Sequence, residues 1–295
     1  MKVDFDVPLV SVCMISYNHS KYIMEAIRGV LEQNFSFGIE FIISDDCSTD
    51  GTSKIIAEYI KDLNGQIDVK FHSQEFNLGI IKNFTFALKQ CRGKYIAICE
   101  GDDYWIDNMK LSKQMNLLEK DDTLVGSFHL VKVKYEGKPY LSNIFKKDVA
   151  NILGTEELIA KSSMMHTSSL FFRSSALILP EWYSTMLSGD FALSSILSKY
   201  GYFKKVPDIM SIYRVHDQGV TNSKVYNINN LRLKADILNK LNEYHDYKYN
   251  LKFQETISSL YKGKNNISIL TRLRKKLLIG IFIKRIKYYC NNFFN

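Results

Sequence analysis

Hydrophobic positions in the first third of the chain follow two alternating spacings. Four short apolar runs have the length and composition of buried strands: residues 9–16, 40–44, 69–72 and 94–99. Three longer stretches repeat apolar side chains every three or four positions, as helices with one buried face do: residues 22–33, 52–63 and 80–90. This order predicts strand-helix-strand units and a parallel sheet that is covered by helices on both faces.

The pattern changes after residue 125. Longer β runs lie on both sides of a predicted helix at residues 190–199. The strands at 123–135 and 168–172 precede this helix, and those at 202–206 and 209–213 follow it. We expect them to extend the first sheet and complete one domain of residues 1–222. From residue 226 onward the chain is rich in Lys, Asn and Leu with helical periodicity, which predicts a helical, basic C-terminal extension over residues 223–295 and no second catalytic unit.

Composition and charge exclude some classes of protein. The 295 residues are 46% hydrophobic and 24% charged, which is enough to bury a large core and excludes a disordered chain. The net charge of +8 comes from residues 256–295, which hold nine Lys or Arg and no acid, so the rest has 30 basic and 31 acidic residues. A nucleic-acid binder is expected to carry basic residues on its folded body, so we predict no nucleic-acid partner.

The five cysteines form no CxxC pair and lie mostly inside apolar runs, which indicates reduced core residues. The N-terminal residues lack the apolar stretch of a signal peptide, and the longest apolar run, residues 277–283, is too short to cross a bilayer. These features predict a cytoplasmic protein.

Acidic residues gather where the predicted strands end. They are Asp45, Asp46, Asp50, the run Glu100-Gly101-Asp102-Asp103, and Asp190. Open α/β sheets bind ligands at the carboxyl ends of their strands, and clustered carboxylates there need a compensating cation. Oxygen ligands suit Mg²⁺ or Mn²⁺ held together with substrate phosphates. An acidic surface turn is the alternative, but the position after a buried strand favours a site.

Two nucleotide-binding classes are excluded by their missing loops. The chain has no GxxxxGK[ST] segment, and no GxGxxG follows the first strand. Neither a P-loop nucleotidase nor a dinucleotide-binding Rossmann enzyme therefore fits.

Several segments, in order, resemble family 2 glycosyltransferases of GT-A fold. They are the stretches VSVCMISYN (10–18), SDDCSTDGT (44–52), NLG (77–79), and GKYI (93–96) leading into EGDD (100–103). The resemblance covers about residues 8 to 220. It implies a Rossmann-like mixed sheet with helices on both faces and a nucleotide-diphosphate-sugar donor, for which we expect UDP.

The resemblance also implies a donor site. Its nucleotide contacts would be Ser16, Tyr17 and Asn18, with Asp46 bonding the base; Lys82 is a candidate for the phosphates, although a lysine there is often only solvated. The family's Asp-x-Asp element matches Glu100-Gly101-Asp102, followed by Asp103, and Asp102 and Asp103 would contact the ribose and the metal. Glu100 replaces the usual first Asp, which leaves its role open.

The catalytic and acceptor residues follow downstream. Asp190, before an amphipathic helix, resembles the family's catalytic base and is equally suited to cap that helix. His216 closes the segment Tyr213-Arg214-Val215-His216, whose family counterpart lies near the metal; a core histidine is the alternative. His166 and Thr167 occupy the region where relatives contact the acceptor, beside a Met pair that is as well explained by core packing.

Residues 271–295 mix basic and apolar side chains in an amphipathic pattern. Such a helix either lies on an anionic membrane surface or packs on the domain with a solvated basic face. The first alternative would place the protein peripherally on the inner face of the cell membrane, close to a lipid-linked acceptor.

These features together predict a Mn²⁺- or Mg²⁺-dependent inverting glycosyltransferase. It would move a hexosyl or N-acetylhexosaminyl group from a nucleotide-diphosphate donor to a hydroxyl of a glycan or lipid-linked oligosaccharide, in surface polysaccharide synthesis. One alternative is a sugar-1-phosphate nucleotidyltransferase, which needs a Gly-rich loop where Ser16-Tyr17-Asn18-His19-Ser20 has none. The other is a catalytically silent protein that binds a nucleotide sugar or glycan.

Overall fold

The computed structural model describes residues 8–61, 63, 67–138, 142–160, 164–186, 189–219 and 230–261. In these residues the strands are β1 (Val10–Ser16), β2 (Ile39–Asp45), β3 (Asp68–Ser73), β4 (Tyr95–Ile98), β5 (Tyr104–Trp105), β6 (Leu124–Tyr135), β7 (Ile152–Leu153), β8 (Phe171–Arg173) and β9 (Tyr202–Val215). The α-helices are α1 (Ile23–Leu31), α2 (Thr52–Lys61), α3 (Ile80–Gln90), α4 (Lys110–Glu119), α5 (Thr155–Ala160), α6 (Gly189–Leu197), α7 (Asn230–Tyr244) and α8 (Asn250–Tyr261). The predicted alternation of strands and helices up to β4 is confirmed.

The strands form one mixed sheet in the order β3-β2-β1-β4-β8-β6-β9-β5, and β7 pairs with β9. Strands β1 to β4 pair parallel to one another, as expected. Strand β8 then runs antiparallel to both β4 and β6, while β6 and β9 are parallel. The later strands therefore extend the first sheet, as the change of pattern after residue 125 predicts.

Alternating side chains of the central strands feed two hydrophobic cores. Every residue of β1 is buried. Val12 and Met14 point into the core beneath α1, α2 and α4, whereas Cys13 and Ile15 belong to the core that is covered by α3 and α5 to α8. The period of two in a strand produces this division, and burial on both faces explains why the strand is mostly apolar.

A close approach of helix α1 to strand β5 lies behind the carboxyl end of the sheet. A Cβ added at Gly29 of α1 would lie 2.8 Å from the backbone oxygen of Trp105, so only glycine fits there. Trp105 in turn donates a hydrogen bond from Nε1 to the backbone oxygen of Ser168, at 3.1 Å. This contact supports the loop that carries His166 and Thr167.

Two predicted strand boundaries are corrected. The runs at 202–206 and 209–213 are one strand, β9, because Val206 pairs with His129 and Ile209 with the next residue of β6, Leu130. Pro207, which has no N–H to donate, is accommodated in the resulting irregularity. The predicted strand at 168–172 begins only at Phe171, since the 3-10 turn Thr167–Ser169 occupies its first residues.

Helices α7 and α8 belong to the region predicted as a C-terminal extension, and they pack on the main domain. Ala235 and Leu241 of α7 and Phe253 and Ile257 of α8 join the same core as Leu193 of α6. The predicted boundary near residue 222 and the basic segment 271–295 lie outside the described residues. In the part of the chain that the structure describes, no helix combines the length and apolar character needed to span a bilayer.

Candidate active site

A pocket of about 510 Å³ opens at the carboxyl ends of β1, β2 and β4. Its size is ordinary for a small-molecule site. It brings together nine of the residues predicted from sequence: Ser16, Tyr17, Asp46, Glu100, Asp102, His166, Thr167, Asp190 and His216. Strand ends and loops that are far apart in the chain supply them, so the fold assembles the expected cluster in one place.

Three predicted residues lie off the pocket wall of the described structure. Asn18 has a left-handed backbone, with φ of 56°, and its Oδ1 accepts the N–H of Thr49 at 2.8 Å, which ties two loops together. Lys82 is exposed on the first turn of α3. Asp103 is only 1% exposed and lies beneath the pocket, where its Oδ1 accepts the backbone N–H of Arg214 at 2.9 Å.

Asp46 organises the loop before α3. Its two carboxylate oxygens accept the backbone N–H groups of Leu78 and Gly79, at 2.7 and 2.9 Å. Burial raises the pKa of Asp46 in spite of these two bonds. The loop so fixed contributes Asn77 and Gly79 to the pocket wall. Asp46 therefore shapes the end of the pocket where the resemblance places the base, and its remaining lone pairs are available there.

The imidazole rings of His19 and His216 and the carboxylate of Asp102 converge in the pocket. Asp102 Oδ2 lies 3.2 Å from Nε2 of His216 and 3.7 Å from Nε2 of His19. One ligand atom from each residue lies within 4.8 Å of the other two. Burial lowers the pKa of His19, which favours the neutral form that binds metals. The sequence analysis missed His19, although it directly follows the predicted Ser16-Tyr17-Asn18 loop.

Arg214 holds this cluster in position. Its Nη1 donates to the backbone oxygen of Asp102 at 2.7 Å, and its Nη2 contacts the carboxylate of Glu25 on α1. Its guanidinium carbon lies 5.0 Å from the ring centre of Tyr22 and 4.5 Å from that of Tyr104. The ring of Tyr22 also packs on His216, with centroids 4.8 Å apart. Arg214, on β9, therefore links the Asp102 backbone to the strand that ends just before His216.

Four residues with carboxylates line the pocket: Asp46, Glu100, Asp102 and Asp190. Burial, followed by the nearby charges of Asp102 and Asp190, raises the pKa of Glu100 to about 8, against a hydrogen bond with Thr167 that lowers it. Burial also acts to raise the pKa of Asp102, but the influence of His19 and His216 outweighs it and lowers the value. A pocket with this concentration of acid favours a bound cation.

His166 lies between the pocket and the buried Asp103. Its Nδ1 is 2.9 Å from the hydroxyl oxygen of Ser168 and 3.6 Å from Oδ2 of Asp103. Burial lowers the pKa of His166 to about 4, so the ring is neutral at physiological pH. The pocket therefore presents a neutral imidazole next to its acidic centre.

Comparison with known proteins agrees with this geometry. Residues 11–178 match the sequence model of the family described as Glycosyl transferase family 2. The chain belongs to this family. The resemblance noted from the motifs is thereby confirmed.

The chain is also similar in sequence to individual proteins. An uncharacterized protein of Mycobacterium tuberculosis is 33% identical over 226 residues, which cover 72% of this chain but 60% of that protein. The chain thus spans less than two thirds of this relative's length. The putative teichuronic acid biosynthesis glycosyltransferase TuaG of Bacillus subtilis is 38% identical over 111 residues, 38% of this chain and 42% of TuaG.

Solved structures share the fold. The S. aureus TarS 1–349 structure in complex with UDP-GlcNAc has a TM-score of 0.64 and 19% identity, over 90% of this chain and 77% of that one. The mannosyltransferase PcManGT from Pyrobaculum calidifontis, in complex with GDP-Man and Mn²⁺, has a TM-score of 0.59 and 16% identity, over 95% and 84% of the two chains. The predicted GT-A fold is confirmed.

Proposed function

We propose that the protein is a metal-dependent, inverting glycosyltransferase that uses a nucleotide-diphosphate sugar. The observation that carries the proposal is the pocket itself. The loops after β1 and β2, a His19-Asp102-His216 cluster and Asp190 meet there, at the carboxyl ends of the sheet strands. The reaction needs these three parts: a donor site, charge for the leaving group and a base for the acceptor hydroxyl.

The donor is proposed to be a UDP-sugar. Ser16, Tyr17 and Asp46 line the pocket on the side of β1 and β2, where the base and ribose would lie, while Asn18 and Lys82 would act from outside its wall. The structural likeness to TarS bound to UDP-GlcNAc supports uridine, and the PcManGT complex makes GDP-mannose the donor to test against it.

The residues present fit a divalent cation. His19, Asp102 and His216 supply two imidazole nitrogens and one carboxylate oxygen within 4.8 Å of one another. Nδ1 of His19 is buried and has no hydrogen-bond partner among the described residues, so no such bond holds the ring in another orientation. Nitrogen ligands suit Mn²⁺ better than Mg²⁺, which prefers an all-oxygen shell. We therefore propose Mn²⁺, with His19 in the place first expected for Asp103.

Asp190 is proposed as the catalytic base. It lies in the first turn of α6 and lines the pocket. Its carboxylate would take the proton from the acceptor hydroxyl while the hydroxyl oxygen bonds to the anomeric carbon. The bond from that carbon to the phosphate oxygen breaks, and the nucleotide diphosphate leaves with its electron pair. When bound, the divalent ion supplies positive charge beside the diphosphate. One displacement inverts the anomeric centre.

The acceptor is proposed to be a hydroxyl of a glycan or a lipid-linked oligosaccharide, contacted by His166 and Thr167. The name of the relative TuaG, which refers to teichuronic acid biosynthesis, supports a role in surface polysaccharide synthesis. The basic segment 271–295 is proposed to hold the enzyme at the anionic inner face of the membrane, near such an acceptor.

The test is nucleotide release from UDP-GlcNAc, UDP-glucose, UDP-galactose and GDP-mannose, with Mn²⁺ and a mixture of cell-envelope glycans. Wild-type protein is expected to turn over one UDP-sugar. Asp190→Asn is expected to bind the same donor and lose at least about 100-fold in turnover. Asp236→Asn on α7, exposed and away from the pocket, is the matched control.

Two results would contradict this account. Undiminished turnover by Asp190→Asn would remove Asp190 from the mechanism. Donor binding by the wild type without turnover of any sugar would favour the silent binding protein instead.

A further inference from the structure

Three rings form a continuous aromatic wall on one side of the pocket. Phe145 follows β6, His166 precedes the 3-10 turn, and Tyr213 lies on β9; all three line the pocket. The ring centroids of His166 and Tyr213 are 4.3 Å apart, those of Phe145 and His166 are 5.2 Å apart, and those of Phe145 and Tyr213 are 6.2 Å apart. These separations are those of rings in direct contact. The rings are not coplanar, since Phe145 is nearly perpendicular to His166 and Tyr213, at 83° and 84°, and the latter two are tilted by 41°.

The backbone holds this wall in place. The N–H of Phe145 donates to the backbone oxygen of Val131 on β6, at 2.7 Å, and Tyr213 pairs with Val133 on the same strand. The ammonium group of Lys146 lies 5.7 Å from the ring centre of Phe145. His166 is fixed through Nδ1 by the hydroxyl of Ser168. The three rings are therefore set before any ligand arrives.

The sheet order separates this wall from the nucleotide end of the pocket. Ser16 and Asp46 come from the ends of β1 and β2, whereas Tyr213 is on β9, which lies on the other side of β4. Glu100 and Asp102, which follow β4, lie between the two ends. His166 and Asp190 line the same pocket, so the wall and the proposed base face one cavity. A group on the wall would meet the donor sugar from the side opposite the nucleotide.

The chemistry of the wall favours a pyranose ring. A pyranose has one or two faces of axial C–H groups, whose partial positive charge matches the negative face of an aromatic ring, and stacking also removes apolar area from water. Its hydroxyls lie around the edge, where Thr167 and Gln218 of the pocket offer polar groups. An open-chain polyol has no fixed face of this kind and would lose conformational entropy on stacking.

We propose that Phe145, His166 and Tyr213 form the acceptor subsite and that a neutral pyranose packs one C–H face against this cluster of rings. This inference rests on the proposed function and names its acceptor class. It makes the terminal sugar of the acceptor a ring, and it assigns specificity to two side chains, Phe145 and Tyr213, for which the sequence predicts no acceptor contact.

The test is saturation-transfer-difference NMR on the full chain with UDP and Mn²⁺ present. The probes are the methyl pyranosides of glucose, galactose and N-acetylglucosamine, and the acyclic polyols ribitol and glycerol. The expected result is transfer to the protons on one face of at least one pyranoside and none to the polyols. Phe145→Leu and Tyr213→Leu keep an apolar side chain without the ring, and each is expected to weaken pyranoside binding roughly tenfold.

Controls separate this inference from the proposed function. Phe76→Leu changes an exposed loop residue outside the pocket lining, and this variant is expected to bind pyranosides as the wild type does. UDP binding, measured by calorimetry on the same samples, is expected to be equal in all four proteins. If UDP binds but no pyranoside does, if ribitol or glycerol binds equally well, or if both leucine variants keep full pyranoside affinity, the subsite is overturned. Failure of the wild type to bind UDP overturns the proposed function and the subsite with it.

Discussion

Lys110 is a lysine without solvent exposure, and its removal gives a quantitative test of the structure. Its Nζ donates to Oε1 of Gln114 at 2.7 Å and lies 4.0 Å from the ring centre of Trp105. Burial lowers the pKa of Lys110 from 10.5 to about 7, against the smaller opposing effects of Cys99 and Asp107.

The direction of the pH dependence follows from proton binding in the folded and unfolded states. Between pH 7 and pH 10.5 the unfolded chain keeps the proton of Lys110 and the folded protein has released it. Unfolding therefore takes up a proton, and the free energy of unfolding rises with pH in this window. With about 1.4 kcal/mol for each pKa unit, this side chain alone adds about 2 kcal/mol to the free energy of unfolding between pH 7 and pH 9.

Lys110→Met removes this titration and keeps most of the side-chain volume. The advantage of the variant over the wild type in free energy of unfolding is expected to be about 2 kcal/mol greater at pH 7 than at pH 9. Any constant cost of leaving Gln114 without its donor cancels in that difference. The assay is urea unfolding followed by circular dichroism at pH 7, 8 and 9.

Lys113→Met on the same helix is the matched control. Lys113 is partly exposed, and its ion pairs with Asp107 and Asp208 raise its pKa, so its substitution is expected to show no such pH dependence. A stability difference for Lys110→Met that is constant between pH 7 and pH 9 would refute the reasoning. It would mean that the lysine titrates alike in both states.

Two further predictions concern packing and the site. Gly93→Ala would place a Cβ 2.6 Å from the backbone nitrogen of Ser11, so it is expected to lower the free energy of unfolding by about 1–3 kcal/mol, and an unchanged urea midpoint would argue against this contact. Arg214→Lys loses the planar group that contacts Asp102 and Glu25, so it is expected to weaken Mn²⁺ binding in the UDP complex by about 10-fold or more, as measured by calorimetry. Equal Mn²⁺ affinity in the two proteins would show that Arg214 does not position the cluster.

The sequence predicted the fold best where one periodicity extends over several turns or residues. Helix α3 has the bounds that its apolar spacing indicates. Helix α4 was not predicted, because the buried face that it presents includes Lys110 and Gln114, two polar residues that break the apolar pattern. Strand β5 is only two residues long, which is too short to display any period.

The candidate site was also predicted in part. Parallel strands end at one edge of the sheet, so acids that follow β2 and β4 had to meet, and Asp46, Glu100 and Asp102 do line one pocket. Sequence could not decide which of the adjacent Asp102 and Asp103 faces the pocket, because they lie in a turn, closed by the bond from Asp103 N–H to the backbone oxygen of Glu100 at 3.1 Å, where no period fixes the side-chain directions. Phe145 and Tyr213 meet His166 only through packing between elements far apart in sequence, which no local motif encodes, whereas the position of His19 directly after the predicted loop was a signal that could have indicated it.

The proposal that a metal and a nucleotide diphosphate share one site is tested most directly by calorimetric titration of UDP into the full chain, with Mn²⁺ and with EDTA. The account predicts binding that is at least about tenfold tighter with Mn²⁺. It also predicts that Asp102→Asn in Mn²⁺ binds no better than the wild type in EDTA, while Asp236→Asn is unaffected. Equal affinity with and without Mn²⁺, or full affinity in Asp102→Asn, would contradict it.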